Sequence, residues 1–234
     1  MLLAMSSDPL PLDRRQRRRQ ETIEEVLDIA VEIMTEQGVA GLSIGEVARR
    51  MGIRPPSLYV YFPSKEAMYD AVFLRGARGI LEHIRSETIA IDTDTRPLPE
   101  QLLAAAETMV RWSVEHPAYT QLLFWRPVPG FAPSDEAYAP AVELVQLSRS
   151  NFATLQRRGL IRRDVDIDDV LRDWTVLTAG VVSQQLSNAP DQRFDDGVFT
   201  SRLPTLIAMF CDHYASVSSS APTPKGGTRN ARKR

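Results

Sequence analysis

The chain has 234 residues, 43% of them hydrophobic and 25% charged, which is the composition of a globular protein with room for one or two domains. Its single cysteine excludes an intramolecular disulfide framework, its cysteine and histidine spacings match no zinc site, and no run of about 18 apolar residues predicts a membrane span. The opening residues also lack the basic and apolar regions of a signal peptide. We therefore expect a cytoplasmic protein that uses no metal, no other cofactor and no membrane.

The formal net charge of -2 hides an uneven distribution of charge along the chain. One basic cluster ends the chain within residues 221–234, and another near its start consists of Arg14, Arg15, Arg17, Arg18 and Arg19. The rest of the chain is therefore acidic. A basic edge on an acidic body would orient the protein on DNA, whereas the alternative is that both clusters are solvated tails.

Apolar residues recur at helical spacing from residue 23 to residue 34 and predict an amphipathic first helix that stops at Gly38. Ser43 and Glu46 form an S-x-x-E capping box for a second helix, which ends at Gly52. The arginines before the first helix are expected to form a flexible arm.

Two adjacent prolines set up a third, short helix. A residue before proline avoids the α region, so we expect Pro55 to flank this helix and Pro56 to be its first residue. Pro63 closes the other end after about two turns. Ser64 is a good N-cap for a longer fourth helix that reaches approximately Glu87.

Helical patterns continue downstream, and no strand-like alternation is sustained. They are separated by proline and glycine and lie at residues 98–115, 118–125, 134–158, 168–186 and 198–216. The sequence therefore predicts an all-α fold of about nine helices. From residue 218 the chain has few apolar residues, and we expect this basic tail to be disordered.

Two short helices across a tight turn, followed by a third, are typical of a helix-turn-helix that reads DNA. Leu58 and Phe62 lie four residues apart on the third helix and are expected to face the core, so Pro56, Ser57 and Val60 point away from it. These three are the candidates for base edges in a major groove, where Val60 suits a thymine methyl group.

Other residues near the third helix suit the DNA backbone. Ser43 at a helix N-terminus, Tyr59, Tyr61 and Lys65 are the candidates for phosphate contacts, and Arg54 is placed to reach a base or a phosphate. The alternative for the two tyrosines is that they cover the small core. The arginine cluster is either a minor-groove arm or a non-specific tail, and in both cases its contribution to affinity depends on salt.

Residues 22–72 resemble the N-terminal domain of TetR-family transcriptional regulators, above all in SIGEVARRMGI and SLYVYFPSKEAM. The resemblance implies a homodimeric repressor whose paired recognition helices read two half-sites of a palindromic operator in double-stranded DNA. It implies a recognition helix at residues 54–61 and phosphate roles for Ser43, Tyr59 and Lys65. The chain departs from the common family pattern in its adjacent prolines and in Val60, which replaces a frequent histidine.

The resemblance further implies a helical C-terminal body with an effector pocket and a dimer surface. The expected organisation is an arm at 1–17, a helix-turn-helix domain at 18–64, a ligand-binding and dimerisation domain at 65–217 and a tail at 218–234. A small, largely hydrophobic effector would release the operator by shifting the fourth helix.

Aromatic residues in this body predict the pocket. We expect it to be lined by Met109, Trp112, His116, Tyr119, Phe124, Trp125 and Phe131. The alternative is that the same side chains form core, with His116 as a helix cap.

The last two predicted helices suggest a dimer surface, because small residues on one permit close approach and apolar residues share a face of the other. A four-helix bundle across a twofold axis would use Trp174, Thr178, Gly180, Leu203, Ile207, Phe210 and Tyr214. Alternatively these residues pack within one subunit.

Two rival functions are weaker. An enzyme is not expected, because the sequence shows no nucleophile and base pair, no metal-ligand set and no phosphate-binding glycine loop. An architectural or protein-responsive DNA-binding protein would share the N-terminal features and need no pocket.

Overall fold

The computed structural model describes residues 14–216, and within that range the chain forms nine α-helices joined by short loops. No β-strand occurs among these residues, only an isolated bridge between Ile161 and Ala215. The prediction of an all-α fold is confirmed. The helices are α1 Arg14–Gln37, α2 Ile44–Arg50, α3 Pro55–Leu58, α4 Lys65–Glu87, α5 Leu98–Glu115, α6 Pro117–Phe124, α7 Asp135–Arg157, α8 Ile167–Asn188 and α9 Leu203–Tyr214.

The first helix begins earlier than the apolar periodicity suggested. Residues 14–19 belong to α1, so the part of the predicted arm at 1–17 that the structure describes is helical. Arginine and glutamine are good helix formers and continue the helix once the amphipathic part has nucleated it. The predicted tail at 218–234 and the first 13 residues lie outside the described range.

The N-terminal ends of α2 and α3 can be compared with the capping and proline signals in the sequence. The Ser43 hydroxyl accepts a hydrogen bond from the Glu46 amide at 3.2 Å, which confirms the N-cap. The third helix starts one residue earlier than expected, at Pro55, with Arg54 in an extended conformation as its N-cap. Both prolines fit in the first turn because amide groups there have no partner within the helix.

The described residues form two apolar cores, and the long helix α4, about 35 Å long from its 23 residues, contributes to the first of them. The first core contains α1, α2, α3, the first half of α4 and α6, and it therefore extends past the predicted boundary at residue 65. The second core is made mainly of α5, α7, α8 and α9. Ser64 caps α4 by accepting from the Ala67 amide at 3.1 Å, as predicted. Within residues 14–216 no helix is long and apolar enough to cross a membrane.

Candidate functional site

The third helix and the turn after it present an exposed surface. Leu58 and Phe62 are only 0% and 5% exposed and hold the helix on the first core, as predicted. Val60 is 71% exposed and Tyr59 is 52% exposed. Arg54, Pro56 and Ser57 are exposed on the same short segment. The predicted base-edge candidates therefore form one accessible patch, and Tyr59 does not serve as a cover for the core.

Four of the five N-terminal arginines lie beside this patch. Residues 54–61, which comprise α3 and the turn after it, are called the recognition segment. A groove between the first turns of α1 and the end of this segment is lined by Val60, Tyr61, Thr22, Arg14, Arg15, Arg18 and Arg19. The guanidinium of Arg19 lies 5.7 Å from the centroid of the partly buried Tyr61 ring. Arg17 faces away, alongside Glu21 and Glu24. The helical form of this segment therefore divides the basic cluster into two faces.

Lys65, a predicted phosphate contact, lies where α4 meets the 3-10 turn Val39–Gly41. Its ammonium donates to the Ala40 carbonyl at 3.3 Å and lies 5.3 Å from the centroid of the Tyr69 ring. The Tyr69 hydroxyl donates to the Val39 carbonyl at 2.8 Å, and burial raises the pKa of this tyrosine. Lys65 is thus fixed in position beside the recognition segment and retains further donor hydrogens.

An ion-pair cluster that the sequence analysis missed fixes α2 to α1. Arg50 donates to Glu36 at 2.5 Å and to Glu46 at 3.0 Å, and Arg49 contacts Glu46 through two bonds of 2.8 and 2.7 Å. The hydrogen bonds from Arg49, and then those from Arg50, lower the pKa of Glu46 to about 2. No short-range pattern links Glu36 to Arg50, so only the fold reveals this pair.

A cavity of about 150 Å³ lies among the C-terminal end of α4, α5 and α7, with Trp174 of α8 in its wall. Its lining is mostly apolar and includes Ile84, Leu102, Leu147 and Phe152. Polar groups lie at one end, where the buried Asp94 pairs with Arg96 at 2.6 Å. The hydrogen bonds from Arg96 lower the pKa of Asp94. The second core therefore contains a small chamber suited to an apolar molecule.

The predicted pocket residues do not line this cavity, with the exception of Met109. Trp112 stacks on His116 with ring centroids 4.6 Å apart, and Tyr119 lies 6.1 Å from Trp112, so these rings form core. Phe131 packs 5.5 Å from Tyr69. The two remaining predicted residues are exposed: Phe124 by 44% and Trp125 by 39%.

The rings of Tyr119 and Trp112 pack against two glycines on α4, so they fill space and do not enclose a cavity. A Cβ atom at Gly76 would lie 2.5 Å from Cδ1 of Tyr119, and one at Gly79 would lie 3.5 Å from Cζ2 of Trp112. The rings therefore occupy room left by missing side chains on the facing helix. Trp112, His116 and Tyr119 therefore fit the alternative interpretation, in which the aromatic cluster is part of the core.

The predicted dimer residues are largely buried within one subunit, which fits the alternative that the sequence analysis left open for them. Trp174 makes edge contacts with Phe152 at 5.6 Å and with Phe210 at 5.7 Å, and Thr178 is 0% exposed. The other four predicted residues on α9 are also buried within one subunit, namely Leu203, Ile207, Phe210 and Tyr214. Gly180 alone lies on the outside. The outward faces carry Val176 and Met209, which are 72% and 62% exposed.

An exposed short helix on a three-helix unit, joined through one long helix to an all-helical body with a cavity, defines the class of helix-turn-helix regulators. Residues 26–72 match the family described as bacterial regulatory proteins, tetR family, and residues 102–200 match the tetracyclin repressor-like C-terminal domain. The chain belongs to the TetR family of transcriptional regulators.

Individual relatives are distant. The transcriptional regulator Rv1816 of Mycobacterium tuberculosis is 24% identical over 155 residues, which cover 66% of this chain and 65% of that protein. The chain thus matches slightly less than two thirds of the length of this relative. The tetracycline repressor protein class D of Escherichia coli is 39% identical over 49 residues, or 21% of this chain and 22% of that repressor.

Solved structures share the fold. The regulatory protein SCO4313 superimposes with a TM-score of 0.67 at 21% identity, covering 85% of this chain and 98% of that one. FadR of Bacillus subtilis, solved in complex with stearoyl-CoA, superimposes with a TM-score of 0.65 at 12% identity, covering 80% and 97% of the two chains.

Proposed function

We propose that the protein is a homodimeric repressor that binds a palindromic operator in double-stranded DNA and is released by a small, largely apolar effector. The observation that carries this proposal is the exposed patch of Pro56, Ser57, Tyr59 and Val60, displayed by a short helix and the turn after it, which Leu58 and Phe62 fix on the core. Buried anchors and exposed neighbours are what a helix needs to enter a major groove in a defined orientation.

The chemistry of this patch favours reading by shape and apolar contact. Val60 suits a thymine methyl group, Ser57 can bond to either kind of base edge, and Pro56 adds contact without a donor. Tyr59, Ser43 and Lys65 surround the patch and suit phosphates, and Arg54 can reach a base or a phosphate.

The arginines on α1 supply affinity in this proposal. Arg14, Arg15, Arg18 and Arg19 line a groove beside Val60 and Tyr61, so a phosphate strand that passes the recognition segment would lie against them. Contacts of this kind strengthen binding to any sequence and weaken as salt increases. They therefore fix position and affinity, and the recognition patch gives specificity.

The outward faces of α8 and α9 form the dimer surface in this proposal. Val176, Gly180 and Met209 are exposed there and leave apolar surface unburied in one subunit. Two copies can pair these faces across a twofold axis as a four-helix bundle. Such a dimer would present its two recognition helices to half-sites one helical turn, about 34 Å, apart.

In this proposal helix α4 couples the cavity to the DNA-reading unit, which consists of α1, α2 and α3. It begins at Lys65 beside the recognition segment and ends at Glu87 in the cavity wall. An effector in the cavity that displaces the end of α4 would change the separation of the paired recognition helices. The stearoyl-CoA complex of FadR supports this proposal, because it shows that a protein with this fold accommodates a ligand.

The test is selection of DNA fragments from the genome that encodes the chain, with the purified protein at moderate salt, followed by titration of the selected site. We expect a dimer to protect two symmetric half-sites. Val60→Ala should weaken binding by about 1–2 kcal/mol and relax preference at one base position, because it removes two methyl carbons from the contact. The matched control is Val145→Ala, an exposed valine on α7.

The outcome also decides between the proposal and its rival. Binding without sequence preference, or an unchanged profile for Val60→Ala, would contradict a sequence-specific repressor. Specific binding that no small molecule alters would favour a protein-responsive regulator.

The proposal places the protein in the cytoplasm, with the chromosome.

A further inference from the structure

The hydroxyl groups that line the cavity differ in how they are bonded. Thr108 donates to the Ala104 carbonyl at 2.9 Å, and Ser148 donates to the Leu144 carbonyl at 3.0 Å, so both are used within their own helices. In contrast, the buried Oγ1 of Thr88 has no hydrogen-bond partner among residues 14–216. Most buried polar groups do have one, so this exception indicates a role.

A second unpartnered polar group lies in the same wall. Asn151 of α7 lines the cavity and is partly exposed, and its side-chain amide makes no hydrogen bond within the described part of the chain. An amide offers both a donor and an acceptor, as does a hydroxyl. Thr88, which caps the C-terminal end of α4, and Asn151 of α7 thus both line one small apolar space and carry hydrogen-bonding groups that have no partner in the described range.

The charged groups in the cavity lining disfavour a charged ligand. Asp94 is 4% exposed and accepts from Arg96 at both side-chain oxygens, with distances of 3.1 and 2.6 Å. The guanidinium of Arg96 is therefore paired with Asp94, and Glu87, the other charged residue of the lining, is exposed to solvent. The lining thus holds two carboxylates and one cation, which disfavours an anion, and a cation would lose its hydration among apolar side chains.

The volume limits the size of the ligand. A cavity of about 150 Å³ is comparable to engineered apolar cavities that accept benzene. The side chains of Leu102, Phe152 and Trp174 provide the apolar contact that a ring or a short branched chain requires.

We propose that the cavity binds an uncharged molecule of about the size of a substituted benzene ring, which forms hydrogen bonds with Thr88 and Asn151. This inference rests on the proposed role of the cavity as the effector site and specifies the chemistry of the effector. Thr88 follows the last residue of α4, and its amide still donates to the Ile84 carbonyl at 3.1 Å. A ligand bonded to both residues would link the end of α4 to α7.

The experiment is calorimetric titration of the full chain without DNA, using benzamide, benzoate, benzylammonium and toluene. Benzamide and benzoate have nearly the same shape and differ in charge, so they isolate the effect of charge. We expect benzamide to bind at least 10-fold more tightly than either ion. A preference for benzoate or benzylammonium, or no binding of any probe, would overturn the inference.

Variants locate the contacts. Thr88→Val and Asn151→Leu should each weaken benzamide binding by about 3- to 10-fold and leave toluene binding unchanged. Thr108→Val is the control, since its hydroxyl lines the same cavity but already donates within α5. Ala105→Leu fills the cavity and should abolish binding of all probes; binding that persists in this variant would place the probes elsewhere and reject the inference.

The two proposals fail separately. If the chain binds its operator but no neutral probe, the ligand class is wrong and the regulator remains. If benzamide binds through Thr88 and Asn151 but no specific operator is found, the proposed repressor function is wrong and the ligand class remains.

Discussion

Arg75 Nε donates a 2.6 Å hydrogen bond to the Tyr119 hydroxyl, and this bond joins the middle of α4 to α6. The same guanidinium donates to Asp28 of α1 at 2.7 Å. The cavity and the recognition segment lie toward opposite ends of α4, so any displacement of α4 that reaches the DNA-reading unit must pass this junction. The junction therefore ties α1, α4 and α6 together within the first core.

Tyr119→Phe tests this link by removing one oxygen and retaining the ring against Gly76. It leaves the half-buried Arg75 Nε without its partner, so we expect the free energy of unfolding to fall by about 1 kcal/mol. Urea unfolding at fixed protein concentration measures the change. Tyr138→Phe is the control, because Tyr138 is 50% exposed and its hydroxyl makes no hydrogen bond within residues 14–216. Equal stability of both variants would refute a stabilising role for the bond.

Gly76 and Gly79 lie one turn apart on α4 and should respond oppositely to alanine. At Gly76 the new Cβ would lie 2.5 Å from the Tyr119 ring, and overpacking of this kind lowers stability by about 1–3 kcal/mol. At Gly79 the new Cβ would lie 3.5 Å from Cζ2 of Trp112, an ordinary contact, so alanine should raise stability by about 0.5–1 kcal/mol through helix propensity. Thermal unfolding of the pair measures both signs. The same sign for both would contradict the packing described for α6.

Glu46 should make stability depend on pH in the acid range. Its pKa is lowered to about 2 by hydrogen bonds from Arg49 and Arg50, so its folded state favours the charged form more than the unfolded state does. The resulting stabilisation is present above the unfolded pKa of about 4.5 and is lost as the pH falls toward 2. Glu46→Gln should therefore be less stable than the parent at pH 7, with a difference that shrinks below about pH 4.5.

The control for this pH dependence is Glu25→Gln, at an exposed carboxylate of α1 with no ion pair in the described part of the chain. Unfolding curves between pH 2.5 and 7 compare the variants. If the gap between Glu46→Gln and the parent does not change with pH, the ion-pair cluster is not the cause of their difference.

The sequence predicted those parts of the fold that depend on neighbouring residues. Ser43 and Ser64 cap the helices they were expected to cap, because a cap needs only a side chain and an amide three residues away. The separation of Leu58 from Val60 also follows from helical geometry alone. Local chemistry therefore sufficed for the helix-turn-helix and its exposed patch.

The C-terminal body could not be predicted in the same way, because its pocket depends on residues distant in sequence. Trp112 is an aromatic residue at helical spacing, and only the facing Gly79 shows that it fills space instead of lining a cavity. Trp174 was expected at a dimer surface, yet Phe152 and Phe210 enclose it. Burial on α8 and α9 is decided by partners on other helices, which no periodicity in one helix reveals.

The basic face of α1 should determine how operator binding depends on salt. Arg18 lines the groove beside Val60 and Tyr61, whereas Arg17 lies on a different face of the same helix, beside Glu21 and Glu24. Arg18→Gln should lower the slope of log affinity against log salt by about 0.9 if it removes one phosphate contact. Arg17→Gln should leave the slope unchanged, although it removes the same charge from a neighbouring position. Equal slopes for both variants would show that only the total charge of the segment matters.

The proposed dimer surface can be tested by placing a charge at its centre. Val176 and Met209 are 72% and 62% exposed in one subunit, and in a four-helix bundle they would be desolvated against the partner subunit. Val176→Asp should therefore convert the dimer to a monomer and abolish operator binding, because a single recognition helix contacts only one half-site. Val145→Asp on α7 is the matched control, at a valine that is 56% exposed but outside the proposed surface. Light scattering measures the mass of each variant; a dimer that survives Val176→Asp and is lost in Val145→Asp would move the interface to α7.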